Sequence, residues 1–344
     1  MSVSSTRPVA SAGAARSDLV IRADDVFKRF GRVEALRGAR LHVPRGTVFA
    51  LIGTNGAGKT TLFSILCGFL RADRGSIEIL GGPPSAVRLR GRLLALPQDA
   101  VLSKEMTVRD HLEFLAQLQG LGAAQARRDT DRVLQMFALN DLAGRKAGAL
   151  SHGQNKRVGV AQAFLGDPEL ILLDEPTAGL DPRNAHELRQ AIVSERGRRT
   201  VLVSSHNLQE LEAICDEAAF IERGCTVEGG RLSDLTSQHQ EVTVVLGRIA
   251  LDSPVLAGLP ARVAQTLAGA DAQLVPGPAA DRPALRVRLS PPSTEDGFAS
   301  AEDAADTATS ALLRLLLDAG CRVSEVQKGK SLEQRYLEST SRQS

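Results

Sequence analysis

The 344-residue chain has no tryptophan, one tyrosine and only ten phenylalanines. Platforms that stack nucleic-acid bases need aromatic faces, so no nucleic-acid partner is expected. Charge of one sign is also missing. The 42 basic residues nearly balance the 40 acidic ones, and a formal charge of +2 gives no field for wrapping nucleic acid. Long apolar runs are absent too. Nothing approaches the roughly 18 apolar residues needed to cross a bilayer, so a membrane role requires a partner. The four cysteines are scattered, and the close pair, Cys215 and Cys225, fits no usual zinc spacing. They read as buried, reduced residues of a cytoplasmic protein. Residues 1–18 are rich in Ser, Ala and Arg, lack the apolar stretch of a signal peptide and read as a disordered tail.

What is present is an ordinary globular composition. Hydrophobic residues make up 43%, enough for a sizeable core. At about 150 residues per domain, two domains are expected. From Leu19 short apolar runs alternate with helical patterns, which argues for a parallel α/β sheet. Strands are expected at Val48 to Ile52, Ser76 to Leu80, Leu93 to Leu96, Leu170 to Leu173 and Thr200 to Ser204. Helices are expected at Lys59 to Leu70, Thr107 to Gly120, Gln125 to Leu139, Gln154 to Leu165 and Arg183 to Glu195. In the second of these Val108, Leu112, Leu115 and Leu118 share one face, with Thr107 as N-cap. Composition shifts near residue 240. A small α/β domain is expected over 237–344, after a first domain over 19–236. Its strands are expected at Glu241 to Leu246, Ala284 to Leu289 and Cys321 to Val326, and its helices at Ala304 to Ala319 and Ser331 to Ser339. Residues 259–283 are loosely patterned and rich in Ala, Gly and Pro.

Gly53-Thr54-Asn55-Gly56-Ala57-Gly58-Lys59-Thr60-Thr61 matches G-x-x-x-x-G-K-[ST] in full, with a strand before it and a helix after it. The glycines let successive N–H groups turn inward around a phosphate, and the helix N-terminus adds a favourable dipole. Lys59 supplies a cation for the β- and γ-phosphates, and the Thr60 hydroxyl suits Mg²⁺. Four aliphatics, Leu170 to Leu173, lead into Asp174 and Glu175. Ligands of parallel sheets sit at the carboxyl ends of strands. Asp174 can therefore reach a Mg²⁺ shell, and Glu175 can polarise a water attacking the γ-phosphate.

With these motifs on the page, the chain resembles the ABC ATPases. Leu150-Ser151-His152-Gly153-Gln154 is similar to the LSGGQ signature of that family. His152 stands where glycine is commonest, but Ser151, Gly153 and Gln154 are intact. Leu173 to Asp181 looks like the Walker B and D-loop run. Gln98 matches the Q-loop glutamine, His206 the switch histidine, and Phe30 the aromatic that stacks on adenine. The resemblance covers Leu19 to Leu235. It implies a P-loop NTPase fold of ABC type with an inserted helical subdomain over about 99–165. It also implies ATP and Mg²⁺ as cofactors, with Thr60, Gln98 and Asp174 around the metal and Glu175, His206 and Gln98 in catalysis. A second copy would dock head to tail. Its Ser151 and Gly153 would cap the γ-phosphate held by Lys59, and Asp181 would lie between the two sites. His42, His111, His186 and His239 lack motif context and read as structural or exposed.

Among ABC machines, tandem-cassette translation factors are excluded by the single cassette. Coiled-coil repair ATPases are excluded by the short stretch between Lys59 and Asp174. The run from Leu96 to Leu112 and the ending Ser331-Leu332-Glu333-Gln334-Arg335-Tyr336-Leu337 are similar to stand-alone ATPase subunits of bacterial type-2 exporters. That resemblance implies a separate transmembrane permease and a peripheral place on the inner face of the cell membrane. The alternative is a soluble ABC ATPase that remodels a macromolecular complex.

Overall fold

The structure is a computed structural model that describes residues 18–84, 87–97, 102–232, 241–249, 254–267, 270–279, 281–289 and 301–328. The expected tail (save Asp18), Gln98, His239, the boundary near 237 and the closing helix at 331–339 lie outside them. The described residues form two compact units, the first ending at Leu232.

The first unit opens with an antiparallel hairpin, β1 (Leu19–Phe30) and β2 (Val33–Pro44), that turns at Gly31. β3 (Val48–Ile52) is buried along its whole length and runs through the glycine-rich turn into α1 (Lys59–Leu66). This helix ends sooner than expected, because Gly68 adopts a left-handed φ of 75° just beyond it. β4 (Arg74–Ile79) returns to β1, giving a three-stranded sheet in the order β2-β1-β4. β5 (Leu93–Leu96) precedes three helices: α2 (Val108–Leu118), α3 (Ala123–Met136) and α4 (His152–Gln162). Thr107 caps α2 by accepting the Asp110 N–H at 3.1 Å. Val108 and Leu112 are buried there, whereas Leu118, in the last turn at the edge of the apolar stripe, is 68% exposed.

β6 (Leu170–Asp174), α5 (Pro182–Val193), β7 (Thr200–Ser205), α6 (Leu208–Glu212), β8 (Glu217–Glu222) and β9 (Cys225–Arg231) complete the unit. The six-stranded sheet has the order β5-β6-β7-β3-β8-β9, parallel from β5 to β8 and antiparallel at β9. β3, β6 and β7 are buried at every position, as expected of a parallel sheet covered on both faces. Truncating one of their leucines, such as Leu172→Ala, removes packing worth about 2–5 kcal/mol. The sheet is therefore a rigid platform for whatever its strand ends carry.

The second unit is a four-stranded antiparallel sheet with helices. Its elements are β10 (Glu241–Leu246), α7 (Pro254–Ala257), α8 (Leu259–Thr266), β11 (Asp271–Ala279), β12 (Arg282–Arg288), α9 (Ala301–Asp318) and β13 (Val323–Lys328). The order is β11-β12-β10-β13. Val242, Val244, Leu285 and Val287 pack with Leu259, Val263, Leu312 and Leu316 to form its own core. The loosely patterned stretch thus contains α8 and β11. β11 carries Pro276 and Pro278, which its edge position tolerates: among the described residues one row of its N–H groups faces no strand.

Candidate nucleotide site

β3, β6 and β7 lie side by side and parallel, so their carboxyl ends deliver the following residues to one edge of the sheet. After β3 comes the phosphate-type loop. Gly58, the N-cap of α1, has φ 110°. A Cβ there would lie 2.8 Å from the Ala35 carbonyl oxygen, and one on Gly224 would lie 2.6 Å from the same atom. Neither position admits a side chain. Ala35 of β2 is wedged between the loop and the β8–β9 turn.

Lys59 is buried. Its Nζ donates to the Gly53 carbonyl at 2.7 Å and to that of Thr54 at 3.3 Å, and it lies 3.4 Å from Glu175 Oε1. Glu175 is a non-glycine residue in the left-handed region, with φ 49°. Its N–H is held by the carbonyl and the hydroxyl of Ser204 at 3.2 and 3.0 Å. Its Oε2 lies 3.0 Å from His206 Nδ1. The Ser204 hydroxyl also donates to Asp174, so one residue at the end of β7 anchors both carboxyl-bearing residues. Nothing in the sequence marks Ser204 beyond its place near His206.

These groups face a cleft of about 550 Å³. Thr54 to Gly56 and Gly58 to Thr61 line it with Glu175 and His206. Gly53 contributes through its carbonyl, and Ala57 is buried in the core. Val33, Ala35, Arg37 and Arg223 also line the cleft, and no sequence motif points to them. Phe30 is not among the lining residues. It sits half-exposed at the end of β1, and its cross-strand partner Val33 faces the cleft instead.

Thr60 and Asp174 share a smaller adjoining pocket of about 170 Å³. A hydroxyl and a carboxylate are hard oxygen donors of the kind that hold Mg²⁺. Among the described residues no group of three or more His, Cys, Asp or Glu could hold a metal ion. The thiol of Cys67 borders this pocket. Burial pushes it up to about 12, and the charge of Asp174 adds to the shift.

A second cluster lies apart from the cleft lining. Ser151 caps α4 in a reciprocal box. Its hydroxyl accepts the Gln154 N–H at 3.3 Å, and the Gln154 side chain accepts the Ser151 N–H at 3.0 Å. Asp181 caps α5 and accepts the Asn184 N–H at 3.0 Å, a bond that holds its carboxyl below the usual range. Gly153 packs near Leu180 and Asn184, and the exposed His152 ring lies against Gly179. Ser151, Gly153, Gln154 and Asp181 do not line the cleft of their own chain.

The family described as ABC transporter matches residues 36–178. The daunorubicin resistance ATP-binding protein DrrA3 of Streptomyces coeruleorubidus is 35% identical over 273 residues, covering 77% of this chain and 85% of the relative. The chain belongs to the ABC ATPase family. The Nod factor export ATP-binding protein I of Paraburkholderia xenovorans is 34% identical, over 64% of this ABC ATPase and 74% of the relative. A solved ATP-binding subunit of an ABC transporter superposes with a TM-score of 0.58 at 30% identity, covering 63% of this chain and 91% of that one. This is the P-loop fold of ABC type, and ATP is the nucleotide that the family binds and hydrolyses. Among the described residues, no helix of the ABC ATPase is long and apolar enough to cross a membrane.

Proposed function

We propose that this ABC ATPase powers a membrane exporter through ATP-driven dimerisation and hydrolysis. Lys59 and the loop N–H groups hold the β- and γ-phosphates, and Phe30, half-exposed beside the cleft-lining Val33, stacks on an adenine that extends past the cleft described above. Thr60, Asp174 and Gln98 hold Mg²⁺, which supplies charge neutralisation at the phosphates. Glu175 takes a proton from water as the water oxygen bonds to the γ-phosphorus. The bond to the β,γ-bridging oxygen breaks, and its electron pair leaves with ADP. His206 orients Glu175 and touches the γ-phosphate. Ser151 and the Gly153 N–H of a second copy, steadied by Gln154, cap that phosphate from the opposite side, with Asp181 between the two sites. Loss of the γ-phosphate removes the cap contacts, and the pair opens.

The observation that carries this reading is a division of labour. Lys59, Glu175 and His206 meet within 3.0 and 3.4 Å in one cleft, whereas Ser151, Gly153, Gln154 and Asp181 do not line it. Each chain therefore holds two complementary halves of a site. Export is supported by the names of two relatives, a daunorubicin resistance protein and a Nod factor export protein. The partner is a separate permease that holds the ATPase at the cytoplasmic face of the membrane.

Mixing variants tests the sharing. Ser151→Arg keeps its own Lys59 but blocks closure over the partner's phosphate. Lys59→Ala keeps a sound Ser151. Each homodimer is expected to be inactive, and the mixture is expected to recover part of the ATPase activity. A mixture that dimerises yet stays inactive refutes the shared site. Membrane fractions should contain the ATPase only when its permease is co-expressed.

A further inference from the structure

Arg157 belongs to no motif assigned above, yet it joins three elements. It lies on α4, downstream of Ser151, and is buried at 8% exposure. Its Nη1 donates to Asn184 Oδ1 at 2.7 Å, and its Nη2 lies 2.9 Å from Glu187 Oε2, both on α5. The same Nη2 donates to the carbonyls of Phe137 and Ala138, which follow α3. Ala138 has left-handed φ 50°, the conformation in which α3 ends here. Asn184 passes the connection on, because its own side-chain amide donates to Asp181. The amide is thus held on both sides, its oxygen by Arg157 and its nitrogen by Asp181. A continuous hydrogen-bonded path runs from the end of α3, through the signature helix, to the D-loop carboxylate.

We propose that Arg157 is a positioning residue that keeps the helical segment, the signature helix and Asp181 in one register, so that a movement of the helices reaches the boundary between the two ATP sites. The inference rests on the shared-site reading above. Its chemistry is specific to arginine. Only a planar fork can serve Asn184, Glu187 and two carbonyls at once, whereas a lysine ammonium keeps the charge but drops at least one of these links.

The test uses the full-length chain with its permease and reads three quantities on each variant: kcat, KM for ATP and melting temperature. Arg157→Lys is expected to leave KM and nucleotide affinity unchanged and to lower kcat about tenfold, a change of about 1.4 kcal/mol in the barrier. Asn184→Ala cuts the path at its second link while leaving the Arg157–Glu187 pair in place, and should give the same split. The double variant should be no slower than the slower single one, because both changes break one path. A merely structural arginine would instead lower the melting temperature and the active fraction, with no coupling to Asn184. Should Arg157→Lys fold poorly, Asn184→Ala carries the test alone. Wild-type kcat in Asn184→Ala, or losses that simply add in the double variant, overturn the proposal. Ser151→Arg is run alongside. Normal turnover there sinks the shared-site reading itself, whereas its loss with normal turnover in the Arg157 and Asn184 variants sinks only the present inference.

Discussion

Glu175→Gln isolates the chemistry from the binding. The residue is 6% exposed, its carboxylate lies 3.0 Å from His206 Nδ1, and it lies 3.4 Å from Lys59. Glutamine has the same reach, so the contact with His206 survives in amide form, as do the Ser204 bonds to the backbone N–H. What disappears is the charge and the capacity to take a proton. A positioned general base is worth about 10²–10⁴-fold, so turnover should fall at least about a hundredfold, or about 2.7 kcal/mol. Affinity should move the other way, because Lys59 no longer shares itself with a carboxylate. Both partners are buried, so the loss should cost the nucleotide-free protein more than the roughly 0.2–1 kcal/mol of a surface pair, softened by the Gly53 and Thr54 carbonyls that still hold Lys59. A loss above about 1 kcal/mol corresponds to a melting temperature lower by at least about 2–4 °C. ATP and Mg²⁺ should restore it and trap a dimer. The assays are phosphate release at saturating ATP, thermal melting with and without nucleotide, and gel filtration. Turnover near that of the wild type in a folded, ATP-binding variant would refute the role of Glu175 as base.

Two further outcomes follow from named contacts. Lys59→Ala should bind a fluorescent ATP analogue about tenfold or more weakly, since a charge-assisted contact is worth about 1.5–3 kcal/mol; unchanged affinity would contradict the phosphate assignment. Glu169 accepts from Arg92 at 2.5 Å and from Arg45 at 2.8 Å, and these bonds hold its carboxyl below its ordinary value. Its stabilisation is therefore present above the ordinary value of 4.5 and lost as pH falls through the lowered one. Glu169→Gln should melt slightly below wild type at neutral pH, as befits part-exposed pairs worth about 0.2–1 kcal/mol, and the gap should close once the pH has fallen through the lowered carboxyl range. A gap that persists in acid would remove the carboxylate as its cause.

The elements most legible in the sequence were those with an unbroken pattern. β3, β5 and β10 have the expected bounds, and β6 extends by one residue to Asp174; in β3 and β6 an apolar run buried at every position leaves no other choice. The phosphate loop was legible because its residues are contiguous and flanked by the right elements. The β1–β2 hairpin was not, although its sheet partner β4 was, as the strand expected at Ser76 to Leu80. β1 reads LVIRADDVFKRF, and its pairing slips between Ala23 and Val26 around Asp25, whose φ is 50°. Each bulge shifts the two-residue alternation, so the period that would announce a strand is lost. Val33, Ala35 and Arg37 were missed for the same reason, since they reach the cleft by the register of β2 and not by any motif. Ser204 escaped notice because its role depends on the Asp174 carboxylate and the Glu175 N–H, brought to it by the end of a neighbouring strand. Arg157 escaped because its four partners are scattered over two other elements.

The wedge at Ala35 has one more consequence. β2 supplies Val33 to one wall of the cleft and, two residues on, packs its carbonyl where the two glycines of the phosphate loop and the β8–β9 turn leave no room for a side chain. The antiparallel sheet therefore cannot slide past the phosphate loop without dragging it along. The spacing at that point is set by backbone atoms, which do not relax as side chains do, so the hairpin, the phosphate loop and the β8–β9 turn share one fixed reference.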